Sequence, residues 1–466
     1  MITITAKKIA ELTGAELLRG DSILHGISTD SKSIKPGEAF LAIIGENHNA
    51  HKYLSEAASN GATALVISEP DAVNTIPENY KGSVILVPDT RRAYQDIAAY
   101  YKKETAPYTI AVTGSVGKTS LKDMIYCILQ GNGSKVQATA GNYNNDIGLP
   151  QTILSMEEDT EVLVLEMGMN HSGEIRRLAE IARPDIAAIT NIGLSHIENF
   201  EDENGIFKAK MEIASFFGEK ETLVVNGDNK WLSSLRDAPD IPYKIIYCGE
   251  SEKSEYRISH PEYNKKNELC FFLHHQGGDT EYQIPVPGLY AGLTAALATA
   301  AVSALGISPM QAAKSLRGLK RTAHRLELIK DKGINIIDDT YNSSPDSLQA
   351  AIDYLIEIAG SDGRKILVLA GMNELGAMTC ELHHLCGVYA ARAGVDEMIT
   401  IGDKAKDFAR GFKETNKNGT VKISDTNEDA AEYIKSIAGI GDSVLVKGSR
   451  AYRTEEIVDA MLRDKE

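Results

Sequence analysis

The sequence predicts an α/β protein of three domains built on doubly wound, mostly parallel sheets. Short apolar runs alternate with segments of helical period from about residue 108 onward. An apolar run meets a glycine turn and then an amphipathic run at 109–129. A length of 466 residues is enough for about three domains, each with its own core.

In order, residues 1–88 mix helix with short strands, and turn signals stand at Lys35-Pro36-Gly37 and Asn60-Gly61. A bridging helix is expected over 91–103. Strands are expected at 109–112, 162–165, 186–189 and 223–225, with helical patterns between them, which is the rhythm of βαβ units. Residues 250–287 turn polar and alternating, as in 268–273, and predict an antiparallel meander. An Ala-rich helix over 291–305 ends at Gly306. Beyond Gly318 the rhythm resumes at 334–337, 366–369, 398–401 and 443–446, giving a second doubly wound unit. The domains are therefore expected at 1–88, 89–318 and 319–466.

Composition narrows the function. Hydrophobic residues make up 43% and charged residues 24%, and the net charge is −16. That balance disfavours nucleic acid and anionic membranes as partners and requires local cationic clusters for anionic ligands. No apolar run approaches a membrane span, and the N-terminus lacks a signal-peptide core. The five scattered cysteines fit a reducing cytoplasm.

The chemistry begins at Thr113-Gly114-Ser115-Val116-Gly117-Lys118-Thr119-Ser120. Leu121, Met124, Ile125, Ile128 and Leu129 follow at helical spacing, so the segment is strand, glycine turn and helix start. Such a turn curls backbone N–H groups around phosphate at a helix N-terminus. Lys118 is placed to reach the outer phosphates, and the Thr119 hydroxyl to ligate Mg²⁺. Val112 stands where the longer phosphate loop has its first glycine. The shortened form points to enzymes that spend ATP on activating a carboxylate.

Two further strand ends deliver polar groups to the same edge, where open α/β sheets bind ligands. The run 162–165 leads into Glu166-Met167-Gly168-Met169-Asn170-His171, and Glu166 suits Mg²⁺. The run 186–189 leads to Thr190-Asn191-Ile192-Gly193 and His196. Lys208 and Lys210 follow on a helix, where two lysines alone would read as a solvated face. Cys380, His383, His384 and Cys386 match no zinc spacing, and His383 is expected on an amphipathic helix near the nucleotide. The chain has no G-x-G-x-x-G following a strand to anchor a dinucleotide.

Together with these pieces, the segment 141–150, the run Glu166-Met167-Gly168-Met169-Asn170-His171-Ser172-Gly173-Glu174-Ile175 and His324-Arg325-Leu326-Glu327 resemble the Mur ligases of peptidoglycan synthesis. Asp339-Thr340-Tyr341-Asn342 and Val446-Lys447-Gly448-Ser449-Arg450 extend the match, as do 28–32 and Gly45-Glu46-Asn47. The marks are those of the branch that joins D-alanyl-D-alanine to a UDP-N-acetylmuramoyl-tripeptide.

The resemblance implies an N-terminal UDP-binding domain, a central ATPase domain and a C-terminal Rossmann-like domain for the amine. It implies a cytoplasmic, monomeric, ATP-dependent ligase working through an acyl phosphate. Gly114 to Ser120, Arg325 and Asp339 would bind ATP, with Lys118, His196, Lys210 and Arg325 catalytic. Thr119 and Glu166 would hold one Mg²⁺, and His196 and a CO₂-carbamoylated Lys210 a second. Asp30 and Ser31 would take the UDP moiety, Asn142, Asn145, Asn170 and His171 the muramoyl-peptide, and Lys447, Ser449 and Arg450 the amine substrate.

Some positions depart from the family pattern. Ala291 and Thr294 stand where asparagines flank adenine, Gly371 where an aspartate is usual, and Ser344 where asparagine is common. Each lost adenine hydrogen bond is worth about 1 kcal/mol. These departures leave two alternatives beside the leading reading: a paralogue that joins another amine to another carboxylate, and a catalytically weakened partner protein.

Overall fold

The computed structural model describes residues 2–45, 48–286, 288–320, 322–360 and 363–463. Glu46, Asn47 and Pro287, named above, lie outside the described residues. Three larger mixed sheets and a small antiparallel pair, Ile4–Thr5 with Ile23–Leu24, carry the chain.

The first large sheet has five strands and spans Glu16–Arg19 to Ser83–Leu86. The expected turns at Gly37 and Gly61 are present, both glycines at positive φ. The helix Thr90–Thr105 packs on Ala6–Thr13 behind it and on Gly148–Leu154 and Glu174–Ala182 ahead, so it joins two cores.

The central sheet has nine strands. Val136–Ala138, Val162–Glu166, Tyr108–Thr113, Ile186–Ile189, Thr222–Asn226 and Lys244–Gly249 run parallel in that order. Tyr256–Tyr263 continues the sheet parallel, and Leu269–His275 and Gly278–Ile284 add the antiparallel meander. Both faces are covered, so the strands read as continuous apolar runs rather than alternating ones. Ile110, Val112, Val164, Ala188 and Val224 pack on one face against Leu121, Ile125 and the alanines of helix Tyr290–Ser303. Ala111, Leu163, Leu165, Ala187 and Leu223 pack on the other, under Leu149, Leu178 and Ile206. The small alanines let Tyr290–Ser303 lie close against Lys118–Gly131, which fixes the helix that opens the phosphate loop.

The third sheet orders Glu327–Asp331, Ile334–Asp339, Ser443–Lys447, Lys365–Ala370, Glu397–Ile401 and Thr420–Ser424; all but the first run parallel. No helix among the described residues is long and apolar enough to cross a membrane.

Candidate active site

A cleft of about 1250 Å³ lies between the carboxyl ends of the central and third sheets. Its floor is the phosphate loop. Gly114 sits at φ 149°, and a Cβ there would stand 1.8 Å from Thr190 Oγ1, so this turn admits only glycine. Thr190 Oγ1 donates to Val116 O (2.5 Å), and Val116 N donates to Asn191 Oδ1 (2.8 Å). Ser115 Oγ accepts from Gly193 N at 2.9 Å. The segment 190–193 thus braces the loop from beneath. Gly117, at φ 85°, is the N-cap of Lys118–Gly131 and has no side chain to satisfy the first amides, which leaves them available to an anion.

Lys118 Nζ donates to Gly114 O (2.8 Å) and lies 3.4 Å from Ser115 O. The lysine is partly open to the cleft, yet desolvation lowers its pKa, opposed by Glu166. Thr119 Oγ1 donates to Glu166 Oε2 at 2.9 Å, and Asn144 Nδ2 donates to Glu166 Oε1 at 2.8 Å. From the third domain, Arg325 Nη2 donates to Thr119 Oγ1 at 3.2 Å, its guanidinium stacked 4.2 Å over the Tyr341 ring. A hydroxyl, a carboxylate and two cations therefore meet at one helix N-terminus.

His196, at φ 62°, holds Nδ1 2.7 Å from Glu374 Oε2 of the third domain, a close contact without good hydrogen-bond alignment. The contact with His196 keeps the Glu374 carboxyl below its usual range, and Lys118 adds to it. Lys210, on helix Glu203–Met211, is 1% exposed, and among the described residues nothing accepts a hydrogen bond from it. Burial first, and then the Lys118 charge, push its pKa well below the lysine value. Burial disfavours the charged ammonium there.

The chemistry of these groups fits Mg²⁺ at Thr119 and Glu166, a hard cation's oxygen donors pinned by Asn144. A charged Lys210 would repel a second ion, whereas its carbamate would be a carboxylate ligand; His196 lines the cleft, and Lys210 is buried outside its lining.

The other predicted residues divide. Asn142, Asn145 and Asn170 line the cleft. Asn145 Oδ1 also accepts from Gly148 N (2.8 Å), capping the next helix. His171 is exposed just outside. Ser31 Oγ donates to Glu56 Oε2 (2.7 Å), and Asp30 accepts from Ser33 Oγ (2.7 Å), both in the N-terminal domain away from this cleft. Asp339 lines the cleft and accepts from Lys447 Nζ at 2.5 Å. Lys447 also donates to Asn342 O, so its ammonium is already engaged. Ser449 Oγ accepts from Asn373 N at 2.9 Å.

Two expectations need correction. Arg450 does not reach the cleft: its guanidinium pairs with Glu455 at 2.9 Å with 62% of the side chain exposed. His383 is not near the phosphate loop. It is fully buried on helix Thr379–Arg392, where Nε2 accepts from Met372 N (2.9 Å) and Phe408 packs on the ring, so it is a core histidine.

Sequence reading missed Asn144, Glu374 and Asp346. Asn144 sat inside the quoted 141–150 segment. Asp346 Oδ2 accepts from Leu194 N at 3.0 Å across the domain interface, and burial raises its pKa. At the departures, Ala291 and Thr294 both line the cleft, and Thr294 Oγ1 donates to Tyr290 O at 3.3 Å.

A phosphate loop met across one cleft by Arg325 of the third domain defines an ATP-binding ligase architecture. The chain belongs to the Mur ligase family: the models for the Mur ligase family catalytic domain, the Mur ligase middle domain and the Mur ligase glutamate ligase domain match residues 23–102, 112–302 and 324–450. Within that family, the UDP-N-acetylmuramoyl-tripeptide–D-alanyl-D-alanine ligase of Bacillus subtilis (strain 168) is 37% identical over 466 residues, 99% of each chain. The Escherichia coli (strain K12) ligase of the same name is 32% identical over 99% of each chain. A crystal structure of MurF from Acinetobacter baumannii superposes with a TM-score of 0.89 at 28% identity, covering 99% of each chain. MurF from Thermotoga maritima in complex with ADP gives 0.83 at 27%, covering 94% of this chain and 97% of that one.

Proposed function

We propose that this chain is the ATP-dependent ligase that joins D-alanyl-D-alanine to UDP-N-acetylmuramoyl-tripeptide in peptidoglycan synthesis. The observation that carries the reading is the meeting of Lys118, Thr119, Glu166 and the third-domain Arg325 at one helix N-terminus.

A carboxylate is a poor acyl donor. In this reading the tripeptide's terminal carboxylate attacks the γ-phosphorus of ATP, the bond to the β,γ-bridging oxygen breaks, and ADP leaves. The dipeptide amine then attacks the acyl phosphate carbonyl carbon, loses a proton, and expels inorganic phosphate. Both steps bring anions together, so positioning and charge neutralisation do most of the work. Lys118 and the helix amides hold the outer phosphates, and Arg325 neutralises the transferred group from the third domain. Mg²⁺, held by Thr119 and Glu166 with a second ion at His196 and carbamoylated Lys210, would supply further neutralising charge. The lowered pKa of the buried Lys210 supports its carbamoylation, because it raises the share of free amine, the form that adds CO₂.

Asp339 is proposed to contact the nucleotide. Asp30 and Ser31 would hold UDP, and Asn142, Asn145, Asn170 and His171 the muramoyl-peptide, with the amine substrate at the third domain near Ser449. The domains are proposed at 1–88, 89–318 and 319–466, in a cytoplasmic monomer. Phosphate release against a panel of UDP-muramoyl peptides and dipeptides tests the reading. Release that needs both the tripeptide substrate and D-alanyl-D-alanine supports it; turnover with another pair replaces it by the paralogue.

A further inference from the structure

Peptide synthesis requires the dipeptide to be held by its carboxylate so that its amine faces the acyl phosphate, and the inference here rests on the ligase reading. Among the described residues, Arg325, Lys447, Arg450 and Lys404 are cations along the carboxyl ends of the third sheet's strands or the segments joined to them. Arg325 reaches Thr119. Lys447 is buried between Asp339 and Asn342 O. Arg450 points away, on Glu455. Lys404 differs from all three. It lies on the single turn Asp403–Ala405 that follows strand Glu397–Ile401. Its Nζ donates to Asn373 Oδ1 at 3.1 Å, and among the described residues no carboxylate pairs with it.

The adjacent strand end explains why. Gly371 follows strand Lys365–Ala370, and a Cβ there would stand 2.6 Å from Tyr452 Oη and 3.0 Å from Lys404 Cβ. A side chain at 371 would have to displace the Tyr452 hydroxyl, and the glycine leaves nothing at this position to neutralise Lys404. That hydroxyl has no hydrogen-bond partner among the described residues. Asn373 is itself fixed, its N–H donating to Ser449 Oγ at 2.9 Å. Its neighbour Glu374 contacts His196 at the reacting end of the cleft. A polar line thus runs from His196, Glu374 and Asn373, which line the cleft, to Lys404 and Tyr452 just beyond its lining. An extended dipeptide is about 7 Å long, which suits an amine at the Glu374 end and a carboxylate reaching past Asn373.

We propose that Lys404, with the Tyr452 hydroxyl, receives the carboxylate of the dipeptide substrate and so sets specificity for a free C-terminus. A charged hydrogen bond of this kind corresponds to about a tenfold to hundredfold effect on KM.

The test compares D-alanyl-D-alanine with its C-terminal amide in the full-length wild type and in Lys404→Ala, Lys404→Arg and Tyr452→Phe. Lys404→Ala should raise the dipeptide KM by about tenfold to hundredfold while the KM values for ATP and the UDP-linked substrate stay unmoved, which also reports that it folds. Lys404→Arg should recover most of the loss, and Tyr452→Phe should show a smaller rise. Wild type should prefer the acid over the amide, and Lys404→Ala should lose that preference. An unmoved dipeptide KM in Lys404→Ala, or an undiminished preference for the acid, overturns the proposal and leaves the ligase reading intact. A wild type that ligates no D-alanyl-D-alanine overturns both.

Discussion

Arg325 of the third domain donates to the hydroxyl of Thr119 in the phosphate loop, Nη2 to Oγ1, at 3.2 Å. Because the two residues belong to different domains, the site is complete only while the domains are closed. The Tyr341 ring lies 4.2 Å from the guanidinium carbon and supports it at the loop.

Arg325→Ala is therefore expected to lower kcat by about 10²–10³, the usual cost of removing one preorganised donor from a developing anion. Nucleotide affinity should change far less, since the loop remains. Arg325→Lys should recover little, because a point charge does not reproduce the stacked fork. Steady-state kinetics with ADP titration separates these outcomes; equal losses in kcat and ADP affinity would contradict them.

Asn144 orients Glu166 through the oxygen that Thr119 does not use. Asn144→Ala should raise the Mg²⁺ concentration for half-maximal activity by about tenfold, the lower end of what losing such a supporting contact costs. A Mg²⁺ titration of the variant with an unshifted midpoint would remove Asn144 from this role.

Lys210→Ala should lose activity, and a short-chain carboxylic acid in the buffer should partly restore it by supplying the missing carboxylate. Wild type equilibrated with ¹³CO₂ should show a carbamate carbon signal by NMR that the variant lacks. A fully active Lys210→Ala enzyme would exclude the modification as a requirement.

Asp346 gives a pH dependence. Its carboxyl is buried and its pKa raised, so between the ordinary value of 3.8 and the folded value the folded state binds more protons than the unfolded one. Stability contributed by this group therefore falls as pH rises through that window, and the cost is fully present above the folded value. Asp346→Asn keeps an acceptor for Leu194 N–H without the charge. It should raise Tm by about 1–4 °C at pH 7 and by nothing at pH 3. A drop at pH 7 would show that the ionised carboxylate stabilises the interface.

The parts legible in the sequence are those whose physics is local. The strand, glycine turn and helix of 108–131 follow from apolar periodicity and from the Lys118-Thr119 pair, and Glu166 and His196 follow from their places at strand ends. The antiparallel meander was readable because alternation replaces continuous apolar runs after residue 250. What was not legible depends on contacts between distant segments. Glu374 matters because the third domain brings it to His196, and its place in the family pattern around Gly371 does not announce that contact. Arg450 reads as a binding cation until Glu455, five positions on, claims it. The missing aspartate at Gly371 reads as a loss, while the fold shows Tyr452 occupying its place. His383 has the polarity of a ligand, yet its ring satisfies the Met372 amide in the core.

The central claim is that the acceptor carboxylate is activated by phosphoryl transfer at this loop. It is tested most directly with UDP-N-acetylmuramoyl-tripeptide carrying ¹⁸O at both oxygens of its terminal carboxylate, turned over with ATP and D-alanyl-D-alanine. The account predicts one ¹⁸O in each inorganic phosphate released, because the acyl phosphate breaks between carbon and the bridging oxygen. Phosphate free of ¹⁸O, formed together with ligated product, would contradict it.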